Sequence, residues 1–352
     1  MTTLSARALN RALLARQHLL ARTDRPAADT IEHLVGLQAQ APLAPYVGLW
    51  SRLQDFDPAE LAGALAERRA VRITLMRATI HLVTARDALR LRAVTQRVPE
   101  GVFSTTQFRR DLEGVDLADL LQRARALVEE RPRTRAELSA LLAEHWPDRV
   151  PSSLAYAFSF LVPLVHVPPR GLWGTTGPVA LTTLDSWLGE PLPRTTDPDD
   201  AVLRYLAAFG PASVADIAKW SRLTGIRAVV ERLRPQLRSF RNERGTELLD
   251  VPDAPLPDPD APAPPRFLPE FDNVLLSHAD RTRVIPPDSP RLPLPAGNGA
   301  RTGTFLVDGF LRGTWRSEGV ELRVEPFAPL SKRDARAVDD EAERLRAFVA
   351  SR

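Results

Sequence analysis

Apolar and polar positions along this chain change period several times, and the changes mark its elements. Apolar residues at helical spacing predict helices over 5–22, 30–37, 43–53 and 58–69. Asp29 with Glu32 reads as a capping box, and Asp57, Pro58 and Glu60 form a strong helix start. Short β-favouring runs at 71–75 and 79–83 follow, then a helix opened by Thr84 and Asp87 and running to about residue 97. The sequence of helices and ribbon then recurs. Helices are predicted at 117–130, 135–144 and 152–161, the second of these capped by Thr134 and Glu137, with strands at 163–167 and 178–183. A third round is the cleanest. It has a helix at 199–209 stopped by Gly210 and Pro211, and a short helix capped by Ser213 and Asp216. After a turn at Thr224 and Gly225 come a helix at 226–234 and strands at 237–241 and 246–251. Short helix, turn, helix and hairpin is the order of a winged helix-turn-helix.

Prolines at 252, 255, 257, 259, 262, 264 and 265 permit neither a helix nor a central strand, so this stretch reads as a linker. Beyond it, strands are expected at 274–277, 303–307, 310–315 and 320–324, then an amphipathic helix at 332–350. The expected fold class is α+β: three tandem winged helix-turn-helix motifs plus a small C-terminal β-barrel. The corresponding division is 1–110 (first unit, with a catalytic loop), 111–195, 196–251, the linker 252–265, and 266–352 (barrel and C-terminal helix).

Composition narrows the chemistry. The chain has 352 residues, and 44% apolar with 26% charged residues is ordinary for a globular protein. No apolar run reaches the ~18 residues that span a bilayer, and residues 1–22 read as a helix of the fold rather than a signal peptide. Without cysteine there are no disulfides, thiolate metal sites or cysteine nucleophiles. The six histidines show no metal-ligand spacing, so neither metal nor cofactor is expected. Net charge is only +3, but Lys219 and Lys332 are the sole lysines among 47 basic residues. Arginine suits phosphate and base-edge contacts, and a GC-rich genome produces the same excess. Arg227, Arg232, Arg241 and Arg244 mark the third unit's second helix and hairpin as a DNA-facing surface, whose alternative is a solvated face. Arg72, Arg77 and His81 are the corresponding candidates around the first ribbon; His81, Arg77 and His278 could line a channel or support the fold.

Gln38 and Gln40 flank Ala39 just before Pro42. On an extended backbone both amides would face one cavity; the spacing alone favours instead a role in capping the helix end or bonding across a turn. The surrounding sequence bears on the choice. The run at 34–53, LVGLQAQAPLAPYVGLWSRL, with FDPAELAGAL, RITLMRATIHLVTARD, RFLPEFDNVLLSHADRTRVI and GTFLVDGFLRGTWR, closely resembles the winged-helix DNA glycosylases of the AlkZ and YcaQ type, in the same order over nearly the whole chain. That resemblance implies three winged-helix motifs and a β-barrel around a basic channel. It also implies release of bulky N7-alkylpurines, unhooking of interstrand crosslinks and, in some members, self-resistance of antibiotic producers. It makes Gln38 and Gln40 the catalytic pair. The hairpin at 296–299, with Asn298, is a candidate DNA probe or an ordinary turn. The partner expected is double-stranded DNA carrying N7-alkylpurine adducts or crosslinks, bound by a monomer in the cytoplasm, at the nucleoid. The competing reading is a non-catalytic winged-helix DNA-binding regulator or damage sensor.

Overall fold

The computed structural model describes residues 1–194, 197–290, 302–318 and 321–351. Two units separate: Met1–Pro58 with Pro198–Trp220 and Thr224–Arg352, and Ala59–Asp197 with Ser221–Leu223.

The first unit begins with the helix Ala6–Arg16, capped by Ser5. It ends well short of residue 22, because His18 takes a left-handed backbone (φ 53°) that no helix continues through. The second helix is Ala27–His33, entered through Pro26 without a side-chain cap, so Asp29 lies within its first turn and the Asp29–Glu32 box does not form. Helices Ala44–Trp50, Asp199–Phe209, Val214–Ser221 and Ile226–Leu233 follow the expected pattern. The Ser213 hydroxyl donates to Asp216 Oδ2 and accepts from the Asp216 amide, closing the expected cap. Strands Arg238–Asn242 and Glu247–Asp250 form the hairpin, and Thr3–Leu4 runs parallel to its first strand.

Residues 251–265 contain neither helix nor strand, as the prolines require. Their carbonyls are nonetheless used: Arg16 Nε donates to Pro255 O (3.2 Å) and Arg11 Nε to Ala261 O (2.7 Å). Of residues 274–277, expected as a strand, the first three lie in the helix Asn273–Leu276, capped by Asp272, and Ser277 follows its end. Three consecutive apolar residues, Val274, Leu275 and Leu276, carry no period that separates the two states. Strands Arg266–Leu268, Thr302–Val307, Phe310–Glu318 and Glu321–Pro326 make an antiparallel sheet in that order. The sheet is open. Among the described residues nothing pairs Arg266–Leu268 with Glu321–Pro326, so the expected barrel does not close. Instead the helix Lys332–Ala350 covers it, placing Val338 and Leu345 against Phe267, Phe305 and Trp315.

In the second unit, strands run in the order Ile80–Thr84, Ala70–Thr74, Leu164–Val167, Ala180–Thr183, Arg133–Thr134, all antiparallel. Leu120, Ala124 and Val128 of the helix Leu117–Glu130 pack with Leu138, Leu142, Leu154 and Phe158 of Arg135–Ala143 and Pro151–Leu161. Thr134 and Glu137 form the expected capping box. Among the described residues no helix is long and apolar enough to cross a membrane.

Candidate active site

The chain reaches Gln38 through a forced turn. After the helix Ala27–His33, Val35 (φ 54°) and Gly36 (φ 90°) are both left-handed. The Val35 amide donates to Glu32 O (3.1 Å) and the Gly36 amide to Ile31 O (2.9 Å), satisfying carbonyls at the helix end. Glycine at 36 is required by that backbone; the β-branched Val35 is held there against its preference. The chain then extends as the strand Leu37–Gln38 and bends at Gln40. Ala39 is fully buried and Leu37 nearly so, whereas Gln38 is 7% exposed and Gln40 more. The apolar residue between the glutamines is thus an anchor, and the amides occupy the more accessible positions.

Three residues outside the motif fix this segment. The Asn273 side-chain amide, itself buried, donates to Gly36 O at 2.7 Å. Next to it, Asp272 receives both terminal nitrogens of Arg52 at 2.9 Å, with both side chains excluded from solvent. Arg52 also donates to Gly48 O (2.9 Å), near the end of the helix Ala44–Trp50 that follows the glutamines. Sequence reading missed all three. Arg52 and Asp272 are 220 positions apart, and no local pattern announces such a pair.

The other candidates divide by exposure. Arg72 is 2% exposed and lies against the Gly171 turn, with its Nη1 3.5 Å from Arg170 O. His81 is 1% exposed. Both are inside the second unit, so neither presents a surface donor to a phosphate. His81 instead serves Arg77. Burial, reinforced by Arg77, lowers its pKa to about 3 and keeps the imidazole neutral. Its Nδ1 lies 2.9 Å from Thr79 O and so carries the proton, leaving Nε2 to accept from Arg77 Nη2 at 3.4 Å. Arg77 and Ala78 form the tip of the ribbon with φ of 59° and 56°, a conformation costly for non-glycine residues. His278 is core rather than channel. It is buried, its Nε2 meets Phe209 O at 3.1 Å, and it packs near Tyr205 and Phe209.

In the third helical segment Arg227 and Arg241 are exposed. Arg232 is held by a two-pronged pair with Asp199, and Arg244 lies 3.2 Å from Asp280. Asn298 and the 296–299 turn lie outside the described residues.

The family model of the AlkZ-like DNA glycosylases matches residues 31–348. An interstrand DNA cross-link repair glycosylase of Streptomyces sahachiroi is 25% identical, over 94% of this chain and 92% of its own. The fold is also that of the solved Streptomyces sahachiroi DNA glycosylase AlkZ, with a TM-score of 0.72 over 99% of this chain and 97% of that one, at 21% identity. The chain belongs to the AlkZ-like DNA glycosylase family.

Proposed function

We propose that this enzyme hydrolyses the N-glycosidic bond of N7-alkylated purines in duplex DNA and unhooks interstrand crosslinks, with Gln38 and Gln40 as the catalytic pair. The observation that carries the reading is the placement of the two glutamines. They stand on either side of a fully buried alanine, Gln38 ending a short strand entered through a fixed turn and Gln40 at the bend that follows, inside the span matched by the family. The name of the similar Streptomyces sahachiroi protein, a cross-link repair glycosylase, supports the crosslink half.

The chemistry follows from the leaving group. Alkylation at N7 makes the purine cationic, so it departs with little acid assistance. The remaining tasks are to support the developing oxocarbenium sugar and to aim a water at C1′. An amide carbonyl accepts a hydrogen bond from that water and presents partial negative charge; the amide N–H group holds a phosphate or the water. Glycosidases with neutral, poor leaving groups use a carboxylate pair instead. A neutral pair therefore selects cationic lesions through the chemical step. Schiff-base strand cleavage needs an amine nucleophile, and the only lysines, Lys219 and Lys332, are exposed side chains on other helices of this unit. The enzyme is monofunctional in this reading and leaves an abasic site. The three helix-and-ribbon segments are taken as three winged-helix motifs of a monomer, with Arg77, Arg227 and Arg241 contacting phosphates. The role is DNA repair, or self-resistance in a host that makes the genotoxin.

Duplexes carrying N7-methylguanine, a bulky N7 adduct, an N7–N7 crosslink or uracil, incubated with enzyme and then cleaved with alkali, test the proposal. Release is expected from the cationic lesions and absent from uracil. Uracil release at a comparable rate, or no release from any cationic lesion, would overturn it. Borohydride should trap no enzyme–DNA adduct.

A further inference from the structure

The Asn273–Gly36 contact is built from both ends. Asn273 is held independently of Gly36, because the adjoining Asp272 caps the helix Asn273–Leu276 through the Val274 amide (3.1 Å) and is locked to Arg52 by two bonds of 2.9 Å. The Asn273 carbonyl accepts from the Ser277 hydroxyl at 2.7 Å, so the backbone of that short helix is fixed as well. Gly36, for its part, is the last residue of the left-handed turn, and its carbonyl accepts the Asn273 amide at 2.7 Å. Two residues later stands Gln38. Buried amide–carbonyl bonds of this kind fix direction because the alternative, an unsatisfied buried carbonyl, is unfavourable.

We propose that Asn273 is a positioning residue for the glutamine pair: its side-chain amide, anchored through the Asp272–Arg52 pair, sets the direction in which the segment bearing Gln38 and Gln40 leaves the turn. The proposal rests on the reading of those glutamines as catalytic. Asn273 touches no substrate and acts only through the backbone. Displacing a reacting group by a fraction of an ångström is enough to lower a chemical rate without lowering affinity for the substrate.

N273D is the sharpest variant, since it keeps size and shape but turns a donor toward Gly36 O into an acceptor; N273A removes the contact without repulsion. Single-turnover release of N7-methylguanine should fall roughly 10- to 100-fold in N273D and less in N273A, with affinity for the same duplex unchanged. Amide hydrogen exchange in residues 34–42 should quicken while exchange elsewhere stays as in the parent. An unchanged rate in N273D, with loss of rate in the variant lacking both glutamines, overturns the role of Asn273 alone. A rate retained in both variants overturns the glutamine reading beneath it. Loss of rate accompanied by faster exchange throughout the chain shows a general structural role and also overturns the proposal.

Discussion

The most deeply buried arginines of the two units differ in their hydrogen-bond partners. In the first, each deeply buried arginine near the N-terminal helices has a carboxylate. Arg16 meets Asp250 at 2.7 and 2.8 Å, and Arg52 meets Asp272. In the second, Arg92 is 1% exposed, yet among the described residues none of its guanidinium nitrogens has a hydrogen-bond partner. His166 Nδ1 and Arg170 Nε are likewise buried without one. Burial lowers the Arg92 pKa to about 10, and burial together with Arg72, Arg135 and Arg170 lowers that of His166 to about 3. In the first unit the Arg52–Asp272 pair adjoins Asn273, whose amide holds Gly36 O two residues before Gln38, and the Arg16–Asp250 pair ties down Leu206 O and Pro255 O. In the second, Arg133 has Glu130 at 2.6 Å, the charge of Arg92 is eased by Glu100 without a hydrogen bond, and His166 stays neutral.

The comparison breaks most readily at the clamps. Arg52→Met or Asp272→Asn strands a buried charge and should cost about 3–5 kcal/mol in urea unfolding. Arg92→Met removes a buried charge that makes no hydrogen bond and is eased only electrostatically by Glu100, and should change stability by less than about 1 kcal/mol in either direction. A large loss there would mean that Arg92 is held by contacts its surroundings do not suggest.

Acid should affect the second unit through His81 and His166. Their folded pKa values, about 3, lie below the ordinary 6.5. Between those values the unfolded chain binds more protons, so stability falls as pH drops from 6.5 toward 3 and is insensitive to these groups above 6.5. His166→Gln should flatten that acid limb; an acid profile identical to the parent's would contradict the assignment. The surface effects are smallest. Arg244→Ala, which loses an exposed pair with Asp280, should change stability by less than about 1 kcal/mol. For DNA affinity, Arg227→Gln and Arg241→Gln should each reduce the slope against log salt by about one unit if each meets a phosphate.

Much of the fold was legible wherever caps and period agreed. The Thr134–Glu137 box opens Arg135–Ala143, Pro58 opens Pro58–Ala66, and the Gly210–Pro211 stop ends Asp199–Phe209. Illegible features depended on distant partners. Asp272 makes a helix of a run that reads as a strand, and it is held there by Arg52, far away in sequence. Sheet closure depends on how strands end, which periodicity does not encode. For the candidate site, Gln38 and Gln40 came forward through family resemblance, since the spacing alone fits a helix-end cap. Burial of Arg72 and His81 could not be foreseen, because each is polar on a strand enclosed on both faces.

The most direct test of the central claim is single-turnover release of N7-methylguanine by the Gln38→Ala, Gln40→Ala double variant, with duplex affinity and thermal stability measured on the same preparation. Loss of release by at least about 100-fold, with binding and stability intact, is the predicted result. Release at the parental rate by a folded, DNA-binding double variant would contradict it.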